Sequence, residues 1–76
     1  MSELEWMNIF SNNLMSILIE RGMTQRDLSD ESLISESTIS RYIHKQQMPS
    51  LRAIINIAYS LDIDVGELID FDERID

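Results

Sequence analysis

The sequence predicts an all-α fold of five helices, and three observations predict it. Large apolar residues recur at steps of three and four, as in Phe10, Leu14 and Leu18, the spacing that lines one side of a helix. Helix-capping hydroxyl residues stand at Ser2, Thr24, Ser35 and Ser50, each just ahead of such a stretch. No segment alternates apolar and polar residues over a strand's length, and there is no internal repeat or low-complexity linker. The 76 residues suit one domain spanning 1–76. A chain of this size buries only about 60% of its unfolded surface, so its margin of stability is thin.

In the first helix, Ser2 and Glu5 have the spacing of a capping box. Phe10, Leu14 and Leu18 then point at the core with Ile17 beside them, Trp6 and Met7 pack at the edge, and Gly22 ends the helix as a left-handed cap. The chain is organised around the next stretch, TQRDLSDESLISESTISRYIH from Thr24 to His44. Thr24 and Asp27 frame the start of a short helix whose one large apolar residue is Leu28. Ser32, Leu33 and Ile34 form a tight corner. Ser35 caps another short helix, with Glu36 set against its positive end. Ile39, Tyr42 and Ile43 make one apolar stripe on it, and Ser37, Ser40, Arg41 and His44 make a hydrogen-bonding face opposite. A helix divided in this way suits the major groove of DNA.

Lys45 to Pro49 reads as a loop, because Pro49 biases Met48 away from helix. Ser50 caps the fourth helix, with Leu51, Ile54, Ile55, Ala58 and Leu61 as its expected buried stripe. Asp64 and Glu67 form a further capping box that opens a short helix through Val65, Leu68 and Ile69. The tail, residues 71–76, is acidic. Phe71 and Ile75 stand four apart in it, which fits either a frayed end or, if helical, an apolar patch for a second subunit.

Charge is distributed unevenly along the chain. The net charge is −8, whereas domains that bind nucleic acid are usually basic. Residues 24–52 are nonetheless neutral, with Arg26, Arg41, Lys45 and Arg52 balancing Asp27, Asp30, Glu31 and Glu36. The excess acid lies mainly after residue 52, where seven carboxylates face Arg74 alone. There is no cysteine, which excludes disulfides and cysteine-based zinc sites and fits a reducing cytosol. His44 is the only histidine, so no metal site is expected. The serines have no base to activate them, and no glycine-rich phosphate loop is present, so neither an enzyme nor a cofactor is expected. No apolar run reaches membrane-spanning length and no leader pattern opens the chain, so a soluble cytoplasmic protein is expected.

Several stretches in order resemble the Cro and phage-repressor type of helix-turn-helix proteins, the XRE family. They are Gly22-Met23-Thr24-Gln25, then Ser35 to Arg41 (SESTISR), then Met48-Pro49-Ser50, then Ile57-Ala58-Tyr59-Ser60-Leu61. The resemblance covers about residues 10–70, with the helix-turn-helix at 24–44. It implies a five-helix, lambda-repressor-like DNA-binding domain, of the kind found in phages and prophages. Three departures stand out. Leu33 and Lys45 occupy positions where the family has Gly, and there a side chain costs about 1 kcal/mol if φ is positive. Leu18 and Ile43 occupy positions where many members pair a buried Arg with a Glu. The ion pair has been replaced as a unit, a change that is often neutral or stabilising, and both residues are expected to be buried in contact.

The resemblance also implies roles for residues. Ser35, Glu36, Ser37 and Arg41 match positions whose side chains reach base edges. Arg41 suits guanine, whose O6 and N7 accept a bidentate pair. Glu36 fits both acceptance from cytosine N4 and a bland role at the helix dipole. Gln25, and more weakly Thr24, match phosphate-holding positions at a helix N-terminus. His44, Lys45 and Arg52 fall near the DNA backbone, and Arg26 fits a phosphate contact and a solvated helix residue equally. Thr38 is expected to face the second helix. The implied partners are operator DNA and a second copy of the chain, through Leu68, Ile69 or Phe71, with no small-molecule substrate. The leading expectation is a small repressor or Cro-like regulator that acts by operator occupancy, with no sensor domain of its own. The rival is an acidic protein-interaction module that binds a partner regulator or mimics DNA. An assembly role in a mobile element ranks third.

Overall fold

A computed structural model describes residues 1–70 of the chain. It contains α1 (Glu3–Arg21), α2 (Gln25–Ser32), α3 (Glu36–Ile43), α4 (Leu51–Leu61) and α5 (Gly66–Ile69), with no strand among the described residues. The all-α, five-helix architecture is the one expected.

The helix starts follow the capping residues. Ser2 and Thr24 each form a complete capping box, with Glu5 and Asp27. Ser35 accepts from the Thr38 N–H, and Ser50 from the Ala53 N–H. The box expected at Asp64 is only half made: the Asp64 N–H lies 3.4 Å from Glu67 Oε2, while the Glu67 N–H goes to the Asp64 carbonyl. Helix α5 accordingly starts at Gly66, with Val65 before it and no side-chain cap.

The first four helices end in or just before a left-handed residue, only one of which is glycine. Gly22 ends α1 at φ 64°. Leu33 (φ 62°), Lys45 (φ 60°) and Asp62 (φ 57°) adopt the same conformation with side chains attached. The corner between α2 and α3 therefore keeps the shape that glycine would give it, and Leu33 carries the strain. Ser29 and Ser32 hold that corner. Ser29 Oγ donates to the Ile34 carbonyl at 2.6 Å, and Ser32 Oγ accepts from the Ile34 N–H at 3.2 Å.

One apolar core joins the helices. It contains Phe10, Leu14, Leu18, Leu28, Ile39, Tyr42, Ile43, Ile54, Ile57, Ala58, Leu61 and Leu68. Leu18 and Ile43 are both buried in it. Helix α4 corrects the sequence reading. Leu51 is 69% and Ile55 50% exposed, while Ile57 is fully buried. On a helical wheel Ile54, Ile57, Ala58 and Leu61 share one face. Leu51, Ile55 and Tyr59, four residues apart in turn, form a separate and exposed stripe. Two apolar stripes on one short helix left the choice between them to docking.

Polar side chains tie the helices together where the core does not. Ser11 Oγ donates to the Ile43 carbonyl at 2.7 Å, and Asn13 Nδ2 donates to the carbonyls of Leu68 and Asp70 at 2.9 and 2.7 Å. Asn56 Nδ2 donates to the Ser32 carbonyl at 2.8 Å, joining α4 to the end of α2. The Arg21 guanidinium donates to the Leu61 carbonyl, placing a cation at the negative end of α4.

Candidate nucleic-acid interface

Helix α3 is anchored on one side and open on the other. Ile39, Tyr42 and Ile43 are buried, with the Tyr42 ring edge-on to Phe10 at 5.9 Å between centroids. Burial pushes the Tyr42 phenol pKa up and keeps it neutral. The opposite face exposes Glu36, Ser37, Arg41 and His44, with Ser40 half-buried between them. Apolar spacing thus decides which way α3 faces, and what remains on its outer side is polar, with an acid, Glu36, in the first turn and a cation, Arg41, in the last.

Each expected base-contacting residue lies on or at the start of that face. Glu36 and Ser37 are exposed in the first turn. Ser35 is occupied as the cap: its hydroxyl accepts from the Thr38 N–H and donates to Thr38 Oγ1 at 2.8 Å. Arg41 is exposed but held, with Nε donating to Gln47 Oε1 at 2.9 Å and Nη2 to Thr38 Oγ1 at 3.3 Å. Thr38 is half-buried, its hydroxyl engaged along α3 by both Ser35 and Arg41.

The expected phosphate-contacting residues lie at the start of α2, the end of α3 and the start of α4. Gln25 is half-buried at the first position of α2, followed by exposed Arg26. The Thr24 N–H is committed to Asp27 Oδ2 at 2.9 Å, and the Thr24 hydroxyl accepts from the Asp27 N–H at 3.0 Å. Hydrogen bonds from the backbone and hydroxyl of Thr24 hold the Asp27 carboxyl below its ordinary pKa, so a negative charge already sits at that helix end. The His44 Nδ1 lies 2.8 Å from the Ser40 carbonyl. The Ser40 hydroxyl lies 3.2 Å from the same nitrogen, so Nδ1 faces back onto α3. Lys45 is exposed, its Nζ 3.3 Å from Asn12 Oδ1. Arg52 is exposed in the first turn of α4.

The expected contact with a second copy is altered. Leu68 is fully buried in the chain's own core, so its side chain is not free for a partner. Ile69 is half-buried, and Phe71 lies outside the described residues.

Residues 13–74 match the family described as the Cro/C1-type HTH DNA-binding domain. The chain belongs to that family. No curated protein and no solved structure gives a significant match. This Cro/C1-type protein is a DNA-binding transcription regulator, and its family is regulatory rather than typically enzymatic. Among the described residues, no helix is long and apolar enough to cross a membrane.

Three participants fall outside the residues the sequence singled out. Gln47 and Asn12 contact Arg41 and Lys45 across six and thirty-three residues, and no local pattern marks either. Ser11 could have been found. It stands three before Leu14 and seven before Leu18, a polar residue on the core face of α1.

Proposed function

We propose that this Cro/C1-type protein is a sequence-specific regulator that acts by occupying an operator, as a small phage-type repressor or Cro-like protein in the cytoplasm. The observation that carries this reading is the divided α3: Ile39, Tyr42 and Ile43 buried, with Glu36, Ser37 and Arg41 exposed beside Lys45. Arg41 reads a base edge in the major groove, and Glu36, Ser37 and Ser35 add contacts around it. Gln25, Thr24, Lys45, His44 and Arg52 meet the backbone on either side and fix the register; Arg26 is the least committed of this set. A two-fold pair of chains, joined near α5 through Ile69, reads two half-sites about one helical turn apart.

The net charge of −8 favours a second reading, an acidic interaction module for a partner regulator. A DNA mimic is expected to line the outer face of α3 with carboxylates, and Glu36 is the one acid in that helix. A mobility-shift titration with DNA flanking the protein's own gene, at two salt concentrations, separates the two. The regulator reading expects a complex that unrelated DNA competes poorly and that weakens as salt rises. No complex even at low salt overturns it.

A further inference from the structure

The guanidinium of Arg41 is the one exposed cation on α3. Two side chains already hold it in the free protein. Its Nε donates to Gln47 Oε1 at 2.9 Å, and Nη2 lies 3.3 Å from Thr38 Oγ1. Thr38 sits one turn earlier on α3, and its own hydroxyl is fixed by the Ser35 cap at 2.8 Å. Gln47 sits beyond the helix, in the loop whose direction is set by the left-handed Lys45 and by the Gln46 N–H bond to the Arg41 carbonyl. The cap thus fixes the Thr38 acceptor, and the loop backbone brings Gln47 within reach of Nε.

This arrangement has a consequence for reading bases. Arginine has five N–H groups and can present them side-on, through Nε and one terminal nitrogen, or end-on, through both terminal nitrogens. With Nε given to Gln47, the side-on approach is closed. Three N–H groups stay uncommitted, two on Nη1 and one on Nη2, and an end-on pair with guanine O6 and N7 needs one from each nitrogen. We propose that Gln47 is a positioning residue for base recognition, which with Thr38 holds the Arg41 guanidinium ready to meet a guanine end-on. The inference deepens the operator-binding reading and rests on it. Gln47 itself need not touch DNA. Its contribution is to remove the rotamer freedom that a long exposed side chain otherwise loses on binding.

The test uses the full chain and duplexes selected from a randomised library with the wild-type protein. Affinities are then measured for the selected guanine, for adenine and for 7-deazaguanine at the same position, at two salt concentrations. Arg41→Ala is expected to erase the preference. Gln47→Ala is expected to lower it about 2- to 10-fold, the range for freeing one rotamer-rich side chain, and to leave the salt slope unchanged. Gln47→Glu keeps an acceptor for Nε, so it restores the preference while weakening binding to every duplex through its charge. Because Gln47 is exposed, unchanged melting curves separate this effect from unfolding. If Arg41→Ala loses the preference and Gln47→Ala does not, the positioning role is overturned and base reading stands. If Gln47→Ala weakens all duplexes alike with a shallower salt slope, Gln47 is a phosphate contact instead. If Gln47→Ala tightens binding, Gln47 stows Arg41 away from DNA, and the role is again overturned. If the library yields no preferred sequence, the operator reading falls and takes this inference with it.

Discussion

Ser11 Oγ donates a 2.7 Å hydrogen bond to the carbonyl oxygen of Ile43, the last residue of α3. Both residues are buried, so the bond replaces water at one of the carbonyls that a helix end leaves open. It also fixes the end of α3 to α1, the longest helix among the described residues. Ser11→Ala leaves that carbonyl buried without its partner and is expected to cost about 1–3 kcal/mol, read as a lower urea midpoint with an unchanged m value. An unaltered midpoint shows that water reaches the Ile43 carbonyl and that the bond does not order α3.

Leu18 and Ile43 stand where relatives are expected to hold an ion pair, and both are buried, at 3% and 5% exposure. Ile43→Glu alone places an unpaired carboxylate in the core and is expected to cost about 3–5 kcal/mol, a large share of a small domain's stability. Adding Leu18→Arg is expected to return part of the loss. Thermal melts of the two single variants and the double variant measure the coupling. Simple additivity means the two positions do not meet, and that the alignment behind the ion-pair argument is wrong.

Leu33 joins two costs at one residue: a left-handed backbone, φ 62°, and a side chain that is 91% exposed. Leu33→Gly removes the backbone strain but gives the unfolded chain more freedom. The net gain is expected to be about 0.5–1 kcal/mol, or a few degrees in Tm at this size. The same change at Lys45 relieves the same strain but removes a cation beside α3. Lys45→Gly is therefore expected to melt higher and bind DNA less tightly, whereas Leu33→Gly gains stability with no loss of binding. A lower Tm for Leu33→Gly shows that the Leu33 side chain makes contacts worth more than the strain.

The helices were legible because their signals are local. Ser2, Thr24, Ser35 and Ser50 cap where their spacing to the following residues says they should. The stripe of α3 was equally plain, since Ile39, Tyr42 and Ile43 are its only large apolar residues. Helix α4 was not, because Leu51, Ile55 and Tyr59 make an apolar stripe as regular as the buried one. Only docking against α2, through Asn56 and the Ser32 carbonyl, decides between them. Site residues divide the same way. Arg41 and Lys45 were singled out through the family resemblance, while Gln47 and Asn12 contact them across a loop and a helix, where no local pattern marks them.

The two complete capping boxes make stability depend on acid. Hydrogen bonds from Ser2 and Thr24 hold the carboxyls of Glu5 and Asp27 below their ordinary pKa values. A carboxyl lowered in the folded state binds protons less readily than in the unfolded chain. Its contribution is therefore present in full at neutral pH and is lost as pH falls below the ordinary carboxylate range, through the lowered value. Asp27→Asn is expected to lower stability near neutrality and to flatten part of the acid limb between about pH 5 and pH 2, in urea midpoints taken at each pH. An acid limb identical to the wild type shows that Asp27 is not held by Thr24 in solution.

Arg41 and Lys45 carry the same charge and are expected to do different work. Arg41 lies on the open face of α3, so Arg41→Ala should cost about 1–3 kcal/mol on the selected duplex and relax preference at one base pair. Lys45 follows the helix, its ammonium beside Asn12, where the DNA backbone is expected to run. Lys45→Ala should therefore weaken binding to all sequences alike and lower the salt slope by roughly one for each phosphate it no longer neutralises. The carboxylates of the tail act in the opposite sense over a Debye length of about 10 Å at 0.1 M salt. Removing residues 72–76 should tighten nonspecific binding at low salt and change little near physiological salt. Filter-binding isotherms at several salt concentrations read all three effects. If neither substitution changes DNA binding while both weaken capture of a partner protein, the acidic interaction module replaces the regulator, because the outer face of α3 is then read by a protein surface and not by a groove.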